Sequence, residues 1–296
     1  MNLTRPVGLV CPIATPLTEN ETLDVPAYQR LLDSIVNDLD GILVLGTTGE
    51  FALLRNEVAA HTVQVTTERV NGRIPVYVGI GDTGTQRVLE KLNFISETGA
   101  DYGLVTSPYY YSVNDEESLA RHFLTIADAA AVPILIYNIP QHTHVNLTPR
   151  LVSRLADHPN IVGLKDSWGD FFQFQEFLDL RNDNFSVFMG PEQLAAASLW
   201  LGADGIVSAL SNFVPGLLQR LVAEVNAGDQ LQARATQRTI SNLAALFQYG
   251  SVSSALKVVL SEMGICTDRV ASPLPPCTAE QKEAIRNILQ KEHVIT

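Results

Sequence analysis

Eight short apolar runs recur along the chain: VGLVCPI, GILVLG, PVYVGIG, YGLVTSP, PILIYNI, IVGLKD, FSVFMG and GIVSAL. They are rich in β-branched residues and show little apolar–polar alternation, which is the pattern of strands buried on both faces. Between them the period changes. In VPAYQRLLDSIVND, Leu31, Leu32 and Ile35 fall at helical intervals. NDEESLARHF opens on a capping residue and acids, as a helix start does. Strand and helix alternate eight times, which predicts parallel strands covered by helices. The expected fold is α/β, a (β/α)8 TIM barrel, with a doubly wound open sheet as the alternative the same alternation allows.

The eighth strand reads to about Leu210 and is followed by the helical segment FVPGLLQRLVAEVNAG. The remainder, DQLQARATQRTISNLAALFQYG, SVSSALKVVLSEMG and TAEQKEAIRNILQK, keeps a helical pattern with no low-complexity linker. The expected organisation is a catalytic barrel over residues 1–226 and a C-terminal helical extension over 227–296, packed on the barrel and suited to assembly.

Composition narrows the classes. Of 296 residues, 46% are hydrophobic and 18% charged, enough apolar chain for a large core. No apolar run reaches the length of a membrane span, and MNLTRPVGLV has no secretory pattern. A net charge of -12 argues against nucleic-acid binding. Cys11, Cys266 and Cys277 form neither a metal pattern nor a disulfide framework, so a reducing cytoplasm is expected.

In a (β/α)8 barrel, chemistry gathers where the strands end. IVGLKDSWGD ends an apolar strand on Lys165, where an amine is costly unless paired, neutralised or used. Lys91, Lys282 and Lys291 lie among polar helical residues and read as solvated; Lys257 in SALKVVL is the competing buried lysine. The second strand ends in GTTGE, either a tight turn or a cradle of amides and hydroxyls for an anion. The fourth runs into SPYYY, and the fifth ends in YNIP with Tyr137. A buried neutral amine attacks a ketone, and the imine formed withdraws electrons from the neighbouring carbon, so no metal is required. His142 and His144 in QHTH are the competing metal reading, and two histidines on a loop are a weak one.

GTTGE, PYYY, YNIP, GLKDS and GADGIVS together resemble the pyruvate-dependent class I aldolases, the family of dihydrodipicolinate synthase and N-acetylneuraminate lyase. The resemblance implies Lys165 as Schiff-base former and Tyr137 as proton-transfer residue. It implies Thr47 and Thr48 as binders of the pyruvate carboxylate, with Ser167, Glu192, Val207 and Ser208 also lining the substrate site. It further implies that Tyr110 reaches a neighbouring subunit's site and completes a hydroxyl relay with Thr47, in a homotetramer. No cofactor or metal is implied; the partners are pyruvate and an aldehyde.

Departures from the family patterns bear on the substrate. Where the synthases carry an arginine two positions after YN-x-P, this chain has His142 in YNIPQHT. Imidazole is no bidentate donor for a second carboxylate. After the glycine of the seventh strand, Pro191, Glu192 and Gln193 supply one acid, where sialate lyases tend to have an aromatic residue and two acids. The pattern looks closest to aldolases for 2-keto-3-deoxy sugar acids. A dehydratase using the same imine, the lyase or synthase activities, and a sugar-acid-binding regulatory barrel remain alternatives.

Overall fold

In the computed structural model, which describes residues 5–295, all eight expected strands form. They are β1 (Gly8–Pro12), β2 (Gly41–Val44), β3 (Val76–Gly79), β4 (Tyr102–Thr106), β5 (Ile134–Asn138), β6 (Ile161–Asp166), β7 (Ser186–Met189) and β8 (Gly205–Val207). They follow one another in sequence order as a closed parallel barrel, which excludes the open sheet. Every residue of β2, β3, β4, β5 and β7 is buried, which is why these strands read as unbroken apolar runs.

The chain divides into two compact units. One comprises Pro75–Val207 together with the start of the chain to Gly8. It holds β3–β8 and the helices Thr85–Ser96, Glu116–Ala129, Pro149–Ala156 and Phe171–Leu178. Phe123, Phe174, Phe177, Phe185 and Phe188 are fully buried in it, and Tyr77 stacks on Tyr102 at 4.7 Å. The capped start expected in NDEESL falls on Asp115, whose carboxylate accepts from the Ser118 amide.

The other unit comprises Leu9–Ile74 and Ser208–Thr296. Helices Val25–Ile35 and Asn56–Val70 are joined through Tyr28 Oη and Thr66 Oγ1, 2.6 Å apart and buried. The four late helices, Pro215–Asn226, Gln230–Ala244, Val252–Glu262 and Ala279–Lys291, lie where the sequence period places them. Thr278 and Gln281 form a reciprocal capping box at the start of the last one.

Two expectations are corrected. β8 stops at Val207, short of Leu210, because Ser208 Oγ accepts the Leu210 amide and starts a 3-10 turn over Ala209–Asn212. Lys91 is not simply solvated: its Nζ lies 2.8 Å from the buried Asp82 carboxylate and donates to the Gly81 carbonyl. Among the described residues, no single helix is long and apolar enough to cross a membrane.

Candidate active site

Lys165 and Tyr137 are paired directly across β5 and β6. The register is set upstream, where β6 carries an extra residue between Ile161 and Gly163 opposite Ile134–Leu135. Glycine is required at 163, because a Cβ there would sit 2.7 Å from the Ser186 carbonyl oxygen. With that register, the Lys165 Nζ lies 4.1 Å from the centroid of the Tyr137 ring, and the two residues are 5% and 3% exposed. An amine held over an aromatic face in a nearly closed interior is shielded from bulk water and fixed in position.

Side chains alternate along a strand, so the residues after Tyr137 and Lys165 point to the other face. These are Asn138 and Asp166, also cross-strand partners and both buried. Asn138 Nδ2 donates to Asp166 Oδ1 at 2.7 Å and to Asn146 Oδ1 at 3.0 Å, while its Oδ1 accepts the Leu147 amide. Gln173 extends the ladder, exchanging hydrogen bonds with Asn146 and donating to the Leu147 carbonyl. The Ser167 amide donates to the Asn138 carbonyl, and the Gly190 amide to the Asp166 carbonyl. The Lys165–Tyr137 pair is thus backed by a buried amide network that ties β5, β6, β7 and the helix Phe171–Leu178 together. Sequence reasoning missed this network; its amides look like ordinary turn residues, and the signal was the polar residue following each apolar strand end.

Burial pushes the Asp166 pKa from 3.8 up to about 6, against the donors from Asn138 and the Trp168 and Gly169 amides. A carboxyl with a raised pKa in the fold favours the fold most when protonated. Its contribution is complete below about pH 4 and is lost as pH rises through about 6. At about 1.4 kcal/mol per tenfold change in proton affinity, the loss is about 3 kcal/mol. Denaturant unfolding of wild type and Asp166→Asn between pH 4 and 7 should therefore diverge by an amount of that order. Parallel stability–pH curves would refute the assignment.

GTTGE forms the tight turn that its glycines suggest. Gly49 and Glu50 amides bond back to Gly46 and Thr47 carbonyls at 3.0 Å. Leu45 and Glu50 both take positive φ, 58° and 62°. A Cβ at Gly49 would lie 3.0 Å from the Ile13 carbonyl oxygen, and Thr15 Oγ1 donates to the Gly49 carbonyl. Thr48 is buried and Thr47 half-buried. The turn belongs to the unit of β1 and β2, whereas Lys165 and Tyr137 belong to the other.

Of the remaining expected residues, Ser167 directly follows β6 and is half-buried. Gly190 gives it room: a Cβ there would run into Ser167 Oγ and lie 2.9 Å from the Asp166 carbonyl oxygen. Glu192 begins the 3-10 turn Glu192–Leu194 after β7. Val207 ends β8, and Ser208 caps the turn beyond it. Tyr110 is 78% exposed with φ 82°, and packs edge-to-face on the equally exposed Tyr111. Among the described residues, no three His, Cys, Asp or Glu side chains gather closely enough to hold a metal ion.

The dihydrodipicolinate synthetase family matches residues 5–292 of the chain. The chain belongs to this family. The 4-hydroxy-tetrahydrodipicolinate synthase of Geobacter metallireducens is 34% identical over 289 residues, covering 97% of this chain and 99% of that protein. A prophage protein of the dihydrodipicolinic acid synthase family from E. coli K12, solved in complex with pyruvate, shares 29% identity and superposes with a TM-score of 0.93, covering 98% of this chain and 99% of that one. The chloride-inhibited dihydrodipicolinate synthase of Acinetobacter baumannii, complexed with pyruvate, shares 31% identity with the same TM-score and coverage.

Membership in the dihydrodipicolinate synthetase family makes the chain an enzyme, a carbon–carbon lyase of the pyruvate-dependent class I aldolase type. His142 lies exposed on the short helix Pro140–Thr143 that follows β5. Gln141, beside it, donates to the Ser167 and Trp168 carbonyls at 2.7 and 3.2 Å, fastening that helix to the loop after β6.

Proposed function

We propose that the enzyme cleaves or forms a 2-keto-3-deoxy sugar acid, with pyruvate and a hydroxyaldehyde as the other side of the reaction. In this reading Lys165 Nζ attacks the ketone carbon and water leaves, giving an imine. The bond between the two carbons beyond it then breaks, its electron pair moving onto the imine carbon–nitrogen system as the aldehyde departs. A proton returns to the enamine carbon, and water releases pyruvate from the lysine. Tyr137 moves the protons, and Thr47 and Thr48 hold the carboxylate. Ser167, Glu192, Val207 and Ser208 meet the rest of the substrate. Tyr110 serves the site of an adjacent subunit in a homotetramer, with residues 227–296 as the helical extension of the barrel. The reading assigns the enzyme to the cytoplasm.

The observation that carries the reaction class is the buried Lys165 amine over the Tyr137 ring. The substrate class rests on His142 and on the single acid of the Glu192 turn. A polyhydroxylated chain is held by neutral and singly charged groups, whereas a second carboxylate recruits arginine. The synthase-type condensation is the second reading, favoured by the names of the curated relatives. It asks for a cation at a position that holds His142.

Kinetics with 2-keto-3-deoxygluconate, its pentonate analogue, N-acetylneuraminate, and aspartate semialdehyde plus pyruvate decide between them. The expected result is the highest kcat/KM with one of the first two. Glu192→Ala should lower turnover of that sugar acid by about 10- to 100-fold, with a smaller effect on imine formation from pyruvate. A clear preference for sialate or for the semialdehyde would sink the substrate assignment and leave the lysine chemistry standing.

A further inference from the structure

Lys257 is fully buried, and so is the side chain it meets: its Nζ lies 2.5 Å from Glu50 Oε1. Glu50 is the last residue of GTTGE. Its other oxygen, Oε2, accepts the Ala271 amide at 2.6 Å. One helical turn before Lys257 on the same helix, Ser253 Oγ lies 3.2 Å from the Thr48 carbonyl and 3.4 Å from the Thr47 carbonyl. The helix Val252–Glu262 therefore reaches the threonine turn twice, once through a hydroxyl to its peptides and once through an ion pair to its end. Ala271, in the segment beyond that helix, adds a third attachment.

This arrangement is expensive for stability alone. Taking both charges out of water costs more than an apolar pair of the same volume would. Burial pulls the Lys257 pKa down, and the Glu50 carboxylate opposes it. Nothing in the turn's own sequence demands a charge: Glu50 also sits at positive φ, a conformation better suited to glycine. What the pair does provide is a fixed direction. Among the described residues neither Lys257 Nζ nor Glu50 Oε1 has a hydrogen-bond partner, so each is compensated only by the opposite charge 2.5 Å away, and buried polar groups are best attested as devices that select one arrangement over others.

We propose that the buried Glu50–Lys257 pair, together with Ser253, acts as a positioning device that fixes the Thr47–Thr48 peptide for the substrate carboxylate. The proposal rests on the reading of Thr47 and Thr48 as carboxylate binders. It makes Lys257 a positioning residue, distinct from the nucleophile, and gives the helices after the barrel a part in substrate binding.

The test uses the full-length enzyme, with pyruvate and borohydride as the probe and trapped adduct measured against pyruvate concentration. Lys257→Met leaves Glu50 buried without its counter-charge and should lower the melting temperature. Glu50→Gln/Lys257→Met removes both charges and should recover most of that loss. The recovered double variant should still need about 10-fold more pyruvate for half-maximal trapping, while reaching the wild-type extent at saturation. A pair that served stability alone would recover both properties together, and a folded double variant with wild-type pyruvate dependence overturns the proposal. Should the double variant not fold, Ser253→Ala decides in its place, by the same shift or its absence. Wild-type enzyme that traps no pyruvate at all would overturn the carboxylate reading and this proposal with it.

Discussion

Lys165→Ala should abolish the pyruvate adduct and lower turnover on the order of 10^4-fold or more. On the proposed mechanism, removing the amine removes the electron sink itself. In the wild-type enzyme, borohydride reduction with pyruvate should add one reduced pyruvyl group to the peptide carrying Lys165. The discriminating control is the other buried lysine. Lys257 is fully enclosed and faces Glu50, so no ketone reaches it without the fold opening. An adduct on Lys257, with Lys165 unmodified, would reverse the two roles and overturn the proposed mechanism.

Tyr137→Phe should lower kcat by about 10^2- to 10^4-fold, the range for loss of a placed proton donor and acceptor. The substitution keeps the aromatic face under the Lys165 amine and removes only the hydroxyl, so packing is conserved. The adduct should still form, slowly, and the thermal melting curve should stay in place. Near-wild-type turnover from a folded Tyr137→Phe enzyme would assign the proton transfers to another group.

The barrel was legible because its strands are buried on both faces. Runs such as PILIYNI and FSVFMG carry no solvent-facing alternation to confuse them, and each forms a strand. The places of Lys165 and Tyr137 near the strand ends were legible for the same reason, since a polar group closing such a run is conspicuous. What stayed hidden is what depends on residues distant in the chain. Lys91 is a local exception: it reads as solvated until the loop between β3 and its own helix, Thr85–Ser96, places the buried Asp82 beside it. Lys257 announces its burial through the apolar SALKVVL but not its partner, because Glu50 belongs to a turn far earlier in the chain. The Asn138–Asn146–Gln173 ladder is spread over a strand end, a loop and a helix, and amides in such places are indistinguishable by type from those that face water.

The close approach of Ser167 to Gly190 bears on how this enzyme could be redirected to other aldehydes. The residue at 190 has no volume to vary, because any side chain meets Ser167 Oγ and the backbone of β6, the strand that bears Lys165. Two positions further on, the chain has turned away from β7 into the Glu192–Leu194 turn. Saturation mutagenesis spread evenly over the loop after β7 would thus waste its diversity at 190 and damage the lysine it aims to exploit. A library confined to His142, Glu192 and Gln193 varies chemistry on the helix after β5 and the turn after β7 while leaving the β6–β7 seam intact, so that on the proposed function acceptor range and imine formation should become separately selectable traits.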